Sequence, residues 1–161
     1  MLTMSTDAQR QGAAMFFLVL ATAAAGLFAG AAVYINLIEH PARLSCGIDL
    51  ALKEFRPSYR RATLMQASLA IVGVASGLLA AWFQRDVHIL VPTLLLGSVV
   101  PFTLVVILPT NKRLLDPALD VRPLDAAVLL QRWAMLHAVR SLLASVAFIM
   151  FLLQLARARL D

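Results

Sequence analysis

Residues 133–156 read Trp133-Ala-Met-Leu-His137-Ala-Val-Arg140-Ser-Leu-Leu-Ala-Ser-Val-Ala-Phe-Ile-Met-Phe-Leu-Leu-Gln-Leu-Ala156. Arg140 is the only charge in that stretch. A helix crosses the hydrocarbon core of a bilayer with ~20 predominantly apolar residues, so this run reads as a transmembrane helix. Three further runs free of Asp, Glu, Lys and Arg precede it, and together they predict spans of about 12–38, 62–83, 87–110 and 133–156. Lipid cannot satisfy open backbone groups, so closed helices are the expected solution. Nothing alternates with the period of two that a membrane barrel needs. The predicted fold is all-α: a single membrane domain over residues 1–161, an integral four-helix bundle with two long loops that contain short interfacial helices on one membrane side.

Composition points the same way. Of 161 residues, 61% are hydrophobic and 14% charged, against about 45–50% and about 25% in soluble domains. That excludes a disordered chain, a collagen-like chain and an ordinary soluble enzyme. The single Cys46 rules out an internal disulfide and a Cys-rich metal site. The net charge of +5 lies between the apolar runs, where membrane topology and lipid headgroups account for it. No basic strip interleaved with aromatics suggests nucleic acid as a partner. The expected partners are the bilayer and a hydrophobic small molecule. Ala21-Thr22-Ala23 resembles a signal-peptidase site, but the apolar run continues to Ile38, so an uncleaved first span is expected.

Four spans place both termini on one side. The loops 39–61 and 112–132 share the other side and carry Arg43, Lys53, Arg56, Arg60, Arg61, Lys112, Arg113, Arg122 and Arg132, against Arg10, Arg85, Arg157 and Arg159 on the terminal side. This bias predicts that the long loops are cytoplasmic; the expected location is a bacterial cytoplasmic membrane. Leu44, Ile48, Leu52 and Phe55 have helical spacing, which predicts a short interfacial helix ended by Pro57. Pro117 breaks the second long loop, and Pro123-Leu-Asp125 suits another helix start. Gly26 and Gly30 form a GxxxG pair, read as close packing within the bundle or, alternatively, as the seam of a homo-oligomer.

Polar residues gather at the long-loop side. Asn36, His40 and Arg43 follow i, i+4, i+7, with Glu39 beside them. Tyr59, Thr63 and Gln66 repeat the spacing, Thr110-Asn111 close the third span, and Trp133, His137, Arg140 and Ser141 open the fourth. Four helices with polar faces at one depth predict a shared pocket. The ordinary readings stand beside this one. The arginines of the first loop suit headgroup anchors, Trp133 and Tyr59 an interfacial belt, and Asn36, Gln66 and Asn111 interhelical hydrogen bonds. Arg140 lies roughly 10 Å along its helix from Trp133, where a charge needs a partner; Glu39 is the expected one.

The pieces Tyr34-Ile-Asn36-Leu-Ile-Glu39-His40-Pro41-Ala42, Pro57-Ser-Tyr59-Arg60-Arg61-Ala62, Pro109-Thr110-Asn111 and Trp133-Ala-Met-Leu-His137-Ala-Val-Arg140, in this order and with this layout, resemble the anthrone-oxygenase-like membrane family. The resemblance implies oxidation of anthrones to anthraquinones with molecular oxygen and no organic cofactor. The residues suit such chemistry. An anthrone methylene is acidic because its carbanion is an extended phenolate. A histidine titrates near neutrality and suits removal of that proton. His137 or His40 would be the base, and Arg140 with Asn111 or Asn36 would stabilise the oxyanion. Asn36, Tyr59, Gln66 and Trp133 would bind a flat substrate arriving from the lipid. An alternative is a metal-dependent oxidoreductase in which His40, His137 and Glu39 ligate iron, copper or zinc; haem between the two histidines is weaker. A third class is a transporter or accessory subunit, against which stands the lack of acidic residues deep in the spans.

Overall fold

The computed structural model describes the backbone of residues 2–116 and 123–159. Helix α1 (Leu2–Tyr34) passes through a π-helical turn, π1 (Ile35–Glu39), into α2 (His40–Ser45). The chain reverses at Cys46-Gly47, where Gly47 adopts φ 92°, a backbone conformation that strains any residue with a Cβ. Helix α3 (Ile48–Gln84) returns. Arg85 at φ 57° ends it, and a 3-10 turn (Val87–Ile89) leads into α4 (Leu90–Phe102), π2 (Thr103–Ile107) and α5 (Leu108–Leu115). Helix α6 (Pro123–Arg157) completes the chain. The stretches Thr6–Ser45, Ile48–Gln84, Val87–Leu115 and Asp125–Arg157 are each long and apolar enough to cross a membrane. The described residues contain no strand, and the chain is a multi-pass integral membrane protein with a four-helix bundle.

The expected long loops are mostly helix. Leu44 lies on α2, whereas Ile48, Leu52 and Phe55 lie on α3, so they do not form a separate interfacial helix. Pro57 sits inside α3 without ending it. Proline withholds one N–H and frees the carbonyl four residues earlier. Here that carbonyl belongs to Lys53, and both residues are exposed near the start of the helix, where water can hydrate it. On the other connection, α5 reaches Leu115 and α6 begins at Pro123, as a helix continuous with the fourth span rather than a separate loop helix. Pro117 lies outside the described residues, as does Arg122.

The two π turns have a common local cause. In π1 the His40 N–H donates to the Ile35 carbonyl, and in π2 the Leu108 N–H donates to the Thr103 carbonyl. Pro41 and Pro109 follow immediately. A proline cannot donate the next i→i−4 bond and its ring crowds that carbonyl. The helix meets both demands by widening one turn ahead of the ring. Such π turns frequently mark functional sites.

Helix α1 packs against α3 and α6, and α4 packs against the same pair from the other side. Between helices in lipid there is little hydrophobic driving force, so close approach of small residues matters. Ala21, Ala25, Ala29 and Ala32 of α1 and Ala144 and Ala147 of α6 form a buried alanine seam. Of the GxxxG pair, Gly26 packs against the Phe148 ring, where an added Cβ would come within 2.7 Å, but Gly30 faces open space. A second pair, Gly73 and Gly77 of α3, makes the tighter contact: it admits Leu96 and Thr93 of α4. Two apolar clusters result, one around Phe28, Leu96 and Phe151 and the other around Phe55, Leu130 and Trp133. Along α6, His137, Arg140 and Ser141 fall between the segments that feed them.

Gly77→Leu should destabilise the bundle by about 1–3 kcal/mol, because the new side chain collides with Thr93, whose buried hydroxyl donates to the Ile89 carbonyl at 2.7 Å. Gly30→Leu should leave stability unchanged. Thermal unfolding of the two variants in detergent compares them directly, and equal melting would refute the packing assignment.

Candidate functional site

The polar residues of the middle layer meet around a cavity of about 30 Å³, room for one or two waters. Its wall includes Glu39, Tyr59, Gln66, Asn111, Trp133, His137 and Arg140. The i, i+4, i+7 face of α3 lands there intact, since Tyr59, Thr63 and Gln66 all line it. Residues that polarity patterns did not single out complete the wall: Ile35, Phe55, Ser58 and Ile107. Ile35 and Glu39 belong to π1 and Ile107 to π2, so both widened turns border the cavity. Pro41 and Pro109 were the sequence signal for these turns.

An aromatic row sets the wall. Tyr59 stacks on Phe55 at 5.7 Å between ring centroids, and Phe55 meets Trp133 edge-on at 5.1 Å. Trp133 in turn stacks on His137 at 4.7 Å and touches His40 at 5.3 Å. Trp133 is therefore a fixed wall that orients the histidine ring.

The hydrogen bonds around His137 determine which nitrogen carries its proton. Asn36 Nδ2 donates to the Ala134 carbonyl at 3.1 Å, which turns Asn36 Oδ1 toward His137 Nδ1 at 2.5 Å. An amide oxygen only accepts, so Nδ1 is the protonated nitrogen. On the other side, Arg140 Nη2 lies 2.6 Å from His137 Nε2. A guanidinium only donates, so Nε2 accepts. His137 is a neutral imidazole whose reactive lone pair faces Arg140. Ser141 supports the arrangement, with its hydroxyl 2.7 Å from Asn36 Oδ1 and 3.0 Å from the His137 carbonyl.

Arg140 does not pair with Glu39, contrary to expectation. Glu39 binds Arg43 and accepts from Ser58 at 2.7 Å, and Arg43 also pairs with Glu54. The cause is spacing: Glu39 and Arg43 are one helical turn apart, so the nearer cation takes the carboxylate. Arg140 Nη2 donates instead to Gln66 Oε1 at 2.5 Å, and the guanidinium lies 5.6 Å from the Phe28 ring centroid. Among the described residues no carboxylate neutralises it. At this contact two donor nitrogens are buried without a partner, Arg140 Nε and Gln66 Nε2. Because Arg140 must donate, Gln66 presents its oxygen to the arginine and its amide N–H₂ is left free. Asn111 donates to the Tyr59 hydroxyl at 3.0 Å, and its Oδ1 is also unpartnered.

Two expected site residues sit behind the wall. Asn36 is not on the cavity; it holds His137 from the rear. His40 is buried against Trp133, and neither of its ring nitrogens has a hydrogen-bond partner among the described residues. The set His40, His137 and Glu39 does not assemble as metal ligands. Among the described residues no three His, Cys, Asp or Glu groups are placed to hold a metal ion. Neighbours on a helix point about 100° apart, so Glu39 and His40 look in different directions.

The profile of the anthrone oxygenase family matches residues 55–150, more than half of the chain, and the chain belongs to that family. No curated protein and no solved structure matches it.

Asn36→Leu removes the amide oxygen that faces His137 Nδ1. Nitrogen-15 NMR of histidine-labelled protein should show a single Nδ1–H tautomer for His137 in the wild type and a mixture in the variant. A wild type dominated by the Nε2–H form would contradict the assignment.

Proposed function

From that membership we propose that the Arg140–His137 centre performs oxygen-dependent oxidation of an acidic aromatic substrate of the anthrone type. The observation that supports this most directly is the arginine itself. A charge at membrane depth costs about 2.5–3.5 kcal/mol on insertion scales, and here it is kept without a carboxylate, next to a neutral histidine, with its own Nε and Gln66 Nε2 unused. Such a centre suits an anion that forms on the ligand.

The chemistry balances with molecular oxygen alone. The substrate carbonyl oxygen takes Arg140 as its partner and draws the guanidinium off His137 Nε2, whose freed lone pair removes one methylene proton. The electron pair left behind delocalises onto the substrate oxygen as a phenolate, which Arg140 stabilises. Arg140 Nε and Gln66 Nε2 are the donors positioned to hold that oxygen. The anion reduces oxygen and couples with it to a carbon-bound hydroperoxide, and His137 returns its proton to the distal oxygen. Loss of water, with departure of the second methylene hydrogen, leaves the new carbonyl. One oxygen molecule enters; a quinone and one water leave. Asn111 and Tyr59 bind the far side of the ring system, and Trp133 keeps the imidazole in plane. Asn36 positions His137 rather than touching the substrate.

We further place the Cys46-Gly47 end of the bundle in the cytoplasm, supported by the excess of Lys and Arg on that side.

His137→Ala and Arg140→Ala should each lower turnover of anthrone at least ~100-fold, the usual scale for loss of a base or an oxyanion donor. His88→Ala should leave it unchanged, because that exposed histidine lies at the opposite end of the bundle. Oxygen uptake and quinone absorbance, measured on protein confirmed as folded by size-exclusion chromatography, report both. Full activity in the first two variants would remove the assigned roles. For orientation, Cys46 is the single cysteine and is exposed. A membrane-impermeant maleimide should therefore label it only after cells are permeabilised; labelling of intact cells would reverse the topology.

A further inference from the structure

Besides the small central cavity, two grooves run along the flanks of α3. One lies between α1 and α3 and is wide, about 800 Å³, with Glu39, Glu54 and Arg61 among its lining residues. The other lies between α3 and the third span and holds about 140 Å³. Its walls are apolar, formed by Phe28, Ala67, Ala70, Val99, Val100 and Leu104. Only the second groove reaches Arg140, and it shares Tyr59, Thr63 and Gln66 with the central cavity.

Its depth identifies its solvent. Ala67 lies within the charge-free run 62–84 of α3 and Val100 near the middle of Val87–Leu115. Both are exposed on the flank of the bundle within apolar runs, where the surrounding solvent is hydrocarbon. The rim includes Thr103 and Leu104, the first residues of π2. The floor is polar: the two unpartnered donors, Arg140 Nε and Gln66 Nε2, belong to residues that line it. A lipid chain offers nothing to an N–H donor, so lipid would leave each donor unsatisfied. The groove therefore fits an occupant with an apolar body and one acceptor oxygen.

We propose that the α3–α4 groove is a lateral substrate port. A flat, membrane-dissolved aromatic molecule enters edge-on between Ala67 and Val100 and comes to rest with its carbonyl or phenolate oxygen on Arg140 and Gln66. The central cavity, too small for such a body, receives only one edge of it. This proposal rests on the Arg140–His137 centre as the place of reaction, and it adds the direction of approach and the orientation of the ligand.

The test uses full-length protein in lipid nanodiscs, with 1,8-dihydroxyanthraquinone as the probe and anthrone as the substrate. Val100→Trp fills the port, and Ala31→Trp fills the α1–α3 groove instead. Val100 is 43% exposed, so the larger side chain meets lipid rather than core. Val100→Trp should weaken probe binding and lower kcat/KM for anthrone by 10-fold or more, with kcat nearly unchanged; Ala31→Trp should do neither. Equal binding in Val100→Trp and wild type, or loss of binding in Ala31→Trp alone, overturns the port. The probe separates this from the reaction assigned above. Binding that Val100→Trp blocks, in a protein that turns over no anthrone, would retain the port and remove the oxidation.

Discussion

An arginine in the middle of an apolar helix, with no carboxylate at hand, constrains everything around it. The guanidinium needs acceptors, and in lipid it must find them inside the protein. Gln66 from α3 and His137 from the preceding turn of α6 supply them. His137 can accept only if its proton sits on the other nitrogen, so Asn36 of π1 must present an amide oxygen there. Asn36 can do that only if its own N–H₂ is engaged, and the Ala134 carbonyl engages it. Each step follows from the fixed donor character of the group before it. The outcome is a chain of three helices locked in register by one charge.

The same constraint separates two kinds of buried arginine in this bundle. Arg43 has Glu39, Glu54 and Ser58 around it and lies over the Phe55 ring. It closes one end of the bundle, and its charge is answered within the protein. Arg140 has neutral partners only, and its own Nε and the neighbouring Gln66 Nε2 are unused. A protein that needed Arg140 for folding alone would do better with an apolar residue, since buried ionic groups seldom contribute net stability. The contrast supports the chemical role proposed for Arg140 and an architectural one for Arg43.

The helix distortions serve that division. Pro41 and Pro109 each force a widened turn where the bundle borders its cavity. One turn places Asn36 behind His137 and brings Glu39 to the wall; the other lines the wall with Ile107 and forms the rim of the lateral groove. Glycine does the opposite work at the far end of α3, where Gly73 and Gly77 let α4 approach closely. Tight packing there and slack packing near the polar layer leave the opening at one level of the bundle.

By itself the sequence determined the parts that depend on spacing along one helix. Four apolar runs of membrane length specify four spans. The i, i+4, i+7 pattern of Tyr59, Thr63 and Gln66, and the grouping of Trp133, His137 and Arg140, already put these side chains on shared faces. What depends on contacts between helices was decided only by the tertiary structure. Glu39 turned to Arg43 rather than Arg140, because an i, i+4 neighbour is nearer than a residue on another helix. The i, i+4, i+7 face of Asn36, His40 and Arg43 did not converge on one site, because the π turn inserts extra residues into its spacing. The first long loop became helix, because a two-residue turn around a positive-φ glycine is enough to reverse the chain. Which nitrogen of His137 is free, and which donors lack a partner, are properties of distances across the bundle, and no periodicity along the chain encodes them.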